Sequence, residues 1–437
     1  MEPNNLDWSK KHILKINNQV ALCSDDNISD EEAQNKRKEI EPWLSAIFQS
    51  EHFSLLVGSG LTNGVCSQAK LSNKDMSRIK FEHKLSDEIE KYSNEAAKKL
   101  ARGNANIEDD FRTALELLTG LNIQKSDEAS SLKIEIDKFL LEFIKGILKT
   151  ERDFKEKMIS LNQDDSKLAE EAFQYLKTFL LSFSSRAASR ERLNIFTTNY
   201  DRFIEFGCDD AGIILIDRFK GKLLPIFRNT KLELDYHYNP PGIRGEPRYV
   251  EGVVRLAKLH GSIDWRFDKD RIIRCLLPFG APDNHTEIAK QTTDSLVIYP
   301  NSSKAIETSF YPYSELFRDF STGICKPNSV LVVYGYGFGD THINQIIEDM
   351  LTIPSTHLVI ISYNSAEGRI QKFYENKNKS QFTLLIGNHF GSLPIIVDNY
   401  LPKSTIDRLT IRKNELIEKR GEDFKRSKPD SQTGTNV

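Results

Sequence analysis

The sequence predicts an α/β fold, a parallel sheet interrupted by a large helical insertion, on three observations. Short, continuous apolar runs recur along the chain. A proline-free stretch with helical periodicity lies among them, and strand and helix patterns alternate after it. The runs lack the apolar–polar alternation of a strand with one wet face, so they read as strands covered by helices on both sides.

Residues 1–50 are polar and mostly helix-compatible, ending in the amphipathic EIEPWLSAIF of Glu39–Phe48. FSLLVGSG, Phe53–Gly60, is too short for a helix and is closed by glycines, which predicts a buried strand running into a tight turn. From Lys74 to Arg190 Lys, Glu, Leu and Ala dominate, and apolar residues recur at three- and four-residue spacing, as in Phe111–Leu121 and Ala169–Phe183. Strand patterns then return at Asn194–Thr198, Gly212–Ile216, Val253–Leu259, Ser295–Tyr299, Ser329–Gly335, His357–Ser362 and Phe382–Gly387. A helix is expected over Thr341–Leu351, with Asp340 or Thr341 as its N-cap. Pro225–Arg248, with its prolines and glycines, reads as a long surface loop. The chain thus divides into an N-terminal helical segment (1–50), an α/β domain (51–400) holding the helical insertion (74–190), and a C-terminal helix with a disordered tail (401–437).

Composition narrows the function classes. Over 437 residues, 60 Lys+Arg against 63 Asp+Glu leave a formal charge of −3, which excludes a surface built wholly for nucleic acid. Only the basic tail hints at such a partner, and a charge run of that kind is also an ordinary solvated face. The N-terminus lacks the apolar core of a secretory signal, and no run approaches the roughly 18 apolar residues of a membrane span. The cysteines at 23, 66, 208, 275 and 325 are odd in number and far apart, giving neither a disulfide framework nor a CxxC pair. A cytoplasmic, reduced protein without structural zinc and without a membrane partner is expected.

Four segments carry candidate chemistry. Gly58-Ser59-Gly60-Leu61-Thr62-Asn63-Gly64 follows a strand, where missing Cβ atoms let backbone N–H groups approach a pyrophosphate; a plain tight turn would use the same glycines. Phe196-Thr197-Thr198-Asn199-Tyr200-Asp201 puts polar groups at a strand's carboxyl end, the ligand-binding edge of open α/β sheets, although Asn199 or Asp201 would equally cap the next helix. His260, in Lys258-Leu259-His260-Gly261-Ser262, ends another strand and is either a structural or a catalytic imidazole. Gly335-Tyr336-Gly337-Phe338-Gly339-Asp340 precedes Thr341-His342-Ile343-Asn344 and forms a second strand–glycine turn–helix unit, with Asp340 suited to capping whether or not a ligand binds.

In order, GSGLT, FTTNYD, LHGS and GYGFGD resemble the SIR2-like, sirtuin-type NAD-binding domain from about Phe53 to Gly391, and most of all its branch in bacterial antiphage defence. The resemblance implies a Rossmann-like sheet of the SIR2 type. It matches Gly58, Ser59, Gly60 and Thr62 to the phosphate loop, Asn199 and Asp201 to the pair flanking nicotinamide and its ribose, His260 to the catalytic histidine, and Gly335 and Gly337 to the turn at the adenosine half. Thr198 and Phe338, in the same motifs, count with the cofactor-binding residues, and no metal ligand is assigned. Val65-Cys66-Ser67-Gln68 replaces the proline–aspartate–phenylalanine–arginine run of protein deacylases, and their four-cysteine zinc module is missing.

The implied activity is an NAD+ nucleosidase, with NAD+ as substrate and no zinc. Asn199 orients the ribose or a water, His260 acts as general base, and Asp201 either stabilises positive charge or holds the loop. Depletion of NAD+ in antiphage defence implies gating, by homo-oligomerisation or by a HerA-type hexameric ATPase partner. The alternatives are a non-catalytic NAD-binding assembly subunit and a zinc-free protein deacylase or ADP-ribosyltransferase. A nuclease is disfavoured because no clustered acidic metal site is apparent.

Overall fold

The computed structural model describes residues 6–402 apart from 18, 74–76, 100–104, 187–189, 229–234, 239–247, 289, 291–310 and 376. The strand expected at 295–299 and the tail from 403 lie outside the described residues. Nine strands form the main sheet: β1 (His12–Ile16), β2 (Gln19–Ser24), β3 (His52–Val57), β4 (Asn194–Thr197), β5 (Ile214–Ile216), β6 (Val253–Lys258), β7 (Ser329–Tyr334), β8 (His357–Ser362) and β9 (Phe382–Ile386). Their order is β2-β1-β9-β8-β7-β3-β4-β6-β5, parallel from β9 to β5 and antiparallel at β1 and β2. The chain builds outward from β3 through β4 and then crosses to β7 on the other side. A crevice is therefore expected between the carboxyl ends of β3 and β7, where the winding reverses. The expected Rossmann-like α/β fold with a helical region is the one observed.

The apolar runs are strands because they are buried on both faces; every residue of β7 and all but the first of β3 and β8 are buried. On one face α1 (Asp30–Phe48) and α2 (Ser59–Gln68) share a core with α6 (Gln163–Ser184) and α7 (Phe203–Ala211). On the other face α8 (Tyr313–Ile324), α9 (Thr341–Leu351) and α10 (Arg369–Glu375) do the same. The stretch read as one helical insertion divides between cores. Its last helix, α6, packs on the sheet, whereas α3 (Ser86–Lys99), α4 (Ile107–Ile123) and α5 (Glu128–Met158) surround a third core that includes Tyr200, Ile263 and Leu277. The long helical stretch is thereby tied to the loops at the carboxyl edge of the sheet.

Two readings are corrected. His12–Ile16 and Gln19–Ser24, expected to be helix-compatible, are the paired strands β1 and β2, and of the described residues among the first fifty only Asp30–Phe48 are α-helical. Lys15 masked the strand. It is fully buried, and its ammonium donates to the carbonyls of Lys379 at 2.7 Å and Phe382 at 3.0 Å, so a charged residue occupies an interior position. The loop expected at 225–248 contributes Ile226–Phe227 to a four-stranded antiparallel sheet with Phe219–Lys220, Trp265–Asp268 and Arg271–Arg274, and His237–Tyr238 pairs with Arg248–Tyr249. Among the described residues no helix is long and apolar enough to cross a membrane.

Burial pushes the His357 imidazole of β8 down to about 4, with the Lys15 ammonium adding to the effect. The free side chain titrates near 6.5, so unfolding takes up a proton between these values. The stability His357 contributes is complete above the unfolded value and is lost as pH falls through the window, by up to about 3 kcal/mol. The urea midpoint is expected to drop between about pH 7 and 4.5, and the drop should be shallower in His357→Gln. Equal slopes would remove His357 as its source.

Candidate functional site

At the predicted crevice lies a cavity of about 400 Å³ lined by the loops after β3, β4, β6 and β7 and by the insertion, a size suited to a small-molecule ligand. Gly58, Ser59, Thr198, Asn199, Asp201, His260 and Gly337 all line it. Gly60, Thr62, Gly335 and Phe338 do not, and each has a structural task behind the wall.

The two glycine turns cross each other. Gly60 N–H donates to Gly335 O at 3.0 Å, and a Cβ on Gly60 would stand 2.5 Å from Gly335 Cα. Gly335 has φ +61, so it needs glycine for its own backbone as well. These glycines let one backbone pass another, which spacing alone cannot distinguish from approach to a phosphate. Gly60→Ala must push two backbones apart and is expected to cost about 1–3 kcal/mol, read as a lower denaturation midpoint; an unchanged midpoint would mean that the turns do not depend on this contact. Phe338 is buried against Tyr336 and Phe373. Asn344 stitches the turn, donating to Phe338 O at 3.0 Å and accepting from the Tyr336 hydroxyl at 3.1 Å.

Behind Ser59 runs a relay. The Asn199 amide donates to Gly58 O at 3.1 Å and to Thr62 Oγ1 at 3.2 Å, and the Thr62 hydroxyl donates onward to Asp201 Oδ2 at 2.8 Å. Asp201 Oδ1 accepts from the Phe203 N–H at 3.2 Å. Both amide protons of Asn199 are thus engaged in holding the loop, and the group left to meet a ligand is its carbonyl oxygen, an acceptor. Both oxygens of Asp201 hold α2 and the start of α7.

His260 is 4% exposed and follows β6, whose last turn is fixed by backbone bonds from Leu259 N–H to Thr197 O at 2.8 Å and from Gly261 N–H to Lys258 O at 3.1 Å. The Tyr200 ring lies 6.1 Å from the His260 ring, and the Tyr200 hydroxyl donates to Glu108 Oε1 at 3.1 Å. Burial, reinforced by Glu108, raises the Tyr200 phenol well above its ordinary value, so it stays a protonated donor.

The sequence offers the insertion as a subunit contact or a cover over the pocket but singles out none of its residues, and the wall takes Asn106, Glu108 and Asp109 from the start of α4 and Phe143 and Ile147 from α5. Asn106 and Asp109 form a reciprocal capping box. NIEDD therefore carried a helix-start signal but no site signal. Arg369 was also missed; it lines the cavity and its Nε donates to Gly337 O at 2.6 Å. No other lysine or arginine lines this cavity among the described residues. The wall therefore carries one cation, held at the second glycine turn, and carboxylates from the insertion (Glu108, Asp109), from the loop after β4 (Asp201) and from the second turn itself (Asp340).

A second cavity, of about 180 Å³, lies along β4 and β6. Its charged groups include pairs such as Arg218 with Asp319 at 2.6 Å and Arg255 with Asp235 at 3.0 Å, which gives it the character of a structural ion-pair network.

Asn199 and His260 lining one cavity beside two crossed glycine turns is the geometry against which the family comparison gains meaning. Residues 193–381 match the family model of the SIR2-like domain. The match takes in three of the four motifs, FTTNYD, LHGS and GYGFGD, while the first glycine turn and helices α3–α6 precede it. No curated protein matches the chain. The matched stretch supplies about half of the cavity's wall, at the strand ends after β4, β6 and β7, and the first glycine turn and the insertion complete it.

Proposed function

We propose that the chain hydrolyses the bond between nicotinamide and ribose in NAD+, taking up one water and releasing nicotinamide, ADP-ribose and a proton. The observation that supports this best is that Asn199 and His260 line one cavity with the Gly58 and Gly337 turns.

The reaction needs little from the protein beyond positioning and charge. Nicotinamide leaves as a neutral molecule, and the ribose it leaves behind carries positive charge in the transition state. The Asn199 carbonyl oxygen accepts from a ribose hydroxyl or from the attacking water, and the His260 imidazole takes the proton. Buried carboxylates favour positive charge in a water-poor site, and Glu108 and Asp109 supply them. The α2 N-terminus and Arg369 suit the pyrophosphate. Glu108→Gln is expected to lower kcat about tenfold, corresponding to roughly 1.4 kcal/mol of lost transition-state stabilisation; an unchanged kcat would remove Glu108 from the reading.

The deciding experiment is a time course of NAD+ with the purified chain, alone and with a HerA-type ATPase, resolved by chromatography and mass. Free ADP-ribose and nicotinamide without any acyl-lysine peptide is the expected result. Product that appears only with such a peptide would favour a deacylase, and binding without turnover even when the ATPase is present would favour an assembly subunit.

The same reading sets the activity in antiphage defence by NAD+ depletion, which requires gating by oligomerisation or by a HerA-type hexameric ATPase. The support is the motif resemblance and the potential lethality of an ungated NAD+ hydrolase. Co-expressed chain and ATPase are expected to elute together in size-exclusion chromatography; separate elution, with turnover indifferent to the ATPase, would count against the pairing.

A further inference from the structure

The segment that opens α9 brings two metal-binding residue types toward His260. His260 Nε2 lies 3.8 Å from Asp340 Oδ2, and one ligand atom from each of His260, Asp340 and His342 lies within 4.8 Å of the others. Among the described residues this is the only group of three His, Cys, Asp or Glu side chains so placed. Asp340 occupies the N-cap position of α9, where an aspartate ordinarily accepts a bond from the first turn. Its side chain makes no such bond, and its carboxylate lies instead among the two imidazoles. Phe317 packs edge-on to the His342 ring at 5.1 Å and restricts its plane.

Two imidazole nitrogens and one carboxylate oxygen are a donor set for first-row divalent ions, zinc above all, whereas magnesium and calcium take shells of oxygen. We propose that His260, Asp340 and His342 form a binding site for a divalent transition-metal ion of the zinc class, and that the bound ion competes with the use of His260 in the reaction. The second half rests on the NAD+ hydrolase reading; the first does not. Zinc holds such ligands at about 2.0–2.2 Å, which places tetrahedral ligand atoms about 3.4 Å apart, so binding draws the three groups together by side-chain rotation. His260 and Asp340 both line the cavity, leaving a fourth position open to water on that side. A nitrogen bound to the metal has no lone pair to accept a proton, so the occupied site silences the general base. The α9 N-terminus disfavours a cation, and the Asp340 carboxylate offsets it. Such a site differs in kind from the structural zinc module that the cysteine spacing argues against, since histidines and an aspartate form it.

The test uses the full chain, stripped with a chelator and dialysed. It is titrated with Co2+ as a visible probe and with Zn2+ against a chromophoric chelator. One ion per chain and the absorption bands of a four-coordinate cobalt site are expected. His342→Ala and Asp340→Asn should each weaken binding at least tenfold, and circular dichroism checks that they are folded. His342→Gln serves if the alanine variant is not. His342→Ala should keep NAD+ turnover in chelator and lose the inhibition by Zn2+ that the parent chain shows. No stoichiometric ion in the parent, or undiminished binding in folded variants of both residues, overturns the site. Stoichiometric binding with turnover unaffected by Zn2+ overturns the competition alone. Because binding is read from the metal, a chain that binds zinc but never cleaves NAD+ would refute the hydrolase reading and leave the site standing.

Discussion

His260→Ala is expected to lower NAD+ cleavage by about 10²–10⁴-fold, the usual worth of a positioned general base, with little change in the folded structure. The second half of that expectation comes from the backbone. The turn after β6 is closed by Leu259 N–H to Thr197 O and Gly261 N–H to Lys258 O, and neither bond involves the imidazole. Asn199→Ala should also abolish turnover, but it is the less clean test. It removes the amide that bonds Gly58 O and Thr62 Oγ1, so it loosens the first glycine turn and the relay to Asp201 as well. The two variants should therefore separate when NAD+ binding is measured beside turnover. His260→Ala should bind NAD+ near the parent affinity and not cleave it, whereas Asn199→Ala should lose both. Turnover of His260→Ala at the parent rate would end the assignment of His260 as the base.

How far the residues announced this site depends on where each signal lives. β3, β7 and β8 were legible because both their faces are buried, which forces continuous apolar letters. β1 was not, because its buried positions include His12 and Lys15, the latter made tolerable by carbonyls from β9 and the turn before it. The glycine turns were legible as turns, but the reason for Gly60 and Gly335 is each other, a contact between residues far apart in the chain. The insertion's contribution was hidden for the same reason. Glu108 and Asp109 look like the acidic first turn of a helix, and that is their local role; their second role appears only once α4 and α5 share a core with Tyr200 and Ile263. Local chemistry is written in neighbouring letters, while convergence is a property of packing.

The largest stability effect is expected where the insertion is bolted to the site. Glu151 of α5 is fully buried and accepts from Arg202 N–H at 3.0 Å, Nε at 3.2 Å and Nη2 at 2.5 Å, and from Gly280 N–H at 3.0 Å. Arg202 itself donates to the carbonyls of Leu277 and Pro278. One carboxylate thus gathers three parts of the chain immediately behind Asn199 and Asp201. Glu151→Ala takes from a buried guanidinium the carboxylate it bonds directly, leaving only the more distant Asp264 and Glu205; breaking a buried pair in this way typically costs about 3–5 kcal/mol, a large share of the roughly 5–15 kcal/mol that holds a domain folded. Glu151→Gln keeps the shape and one acceptor oxygen and should fall between. Removing both charges together, as Glu151→Leu with Arg202→Met, should cost less than the sum of the single changes, because no lone charge is then left inside. Chemical denaturation of the four chains measures this directly. A Glu151→Ala chain within about 1 kcal/mol of the parent would mean that the insertion does not depend on this pair. A large loss matched by lost NAD+ binding, with Glu151 itself outside the cavity wall, would show that the cavity exists only while α5 is held against the loop at 199–202.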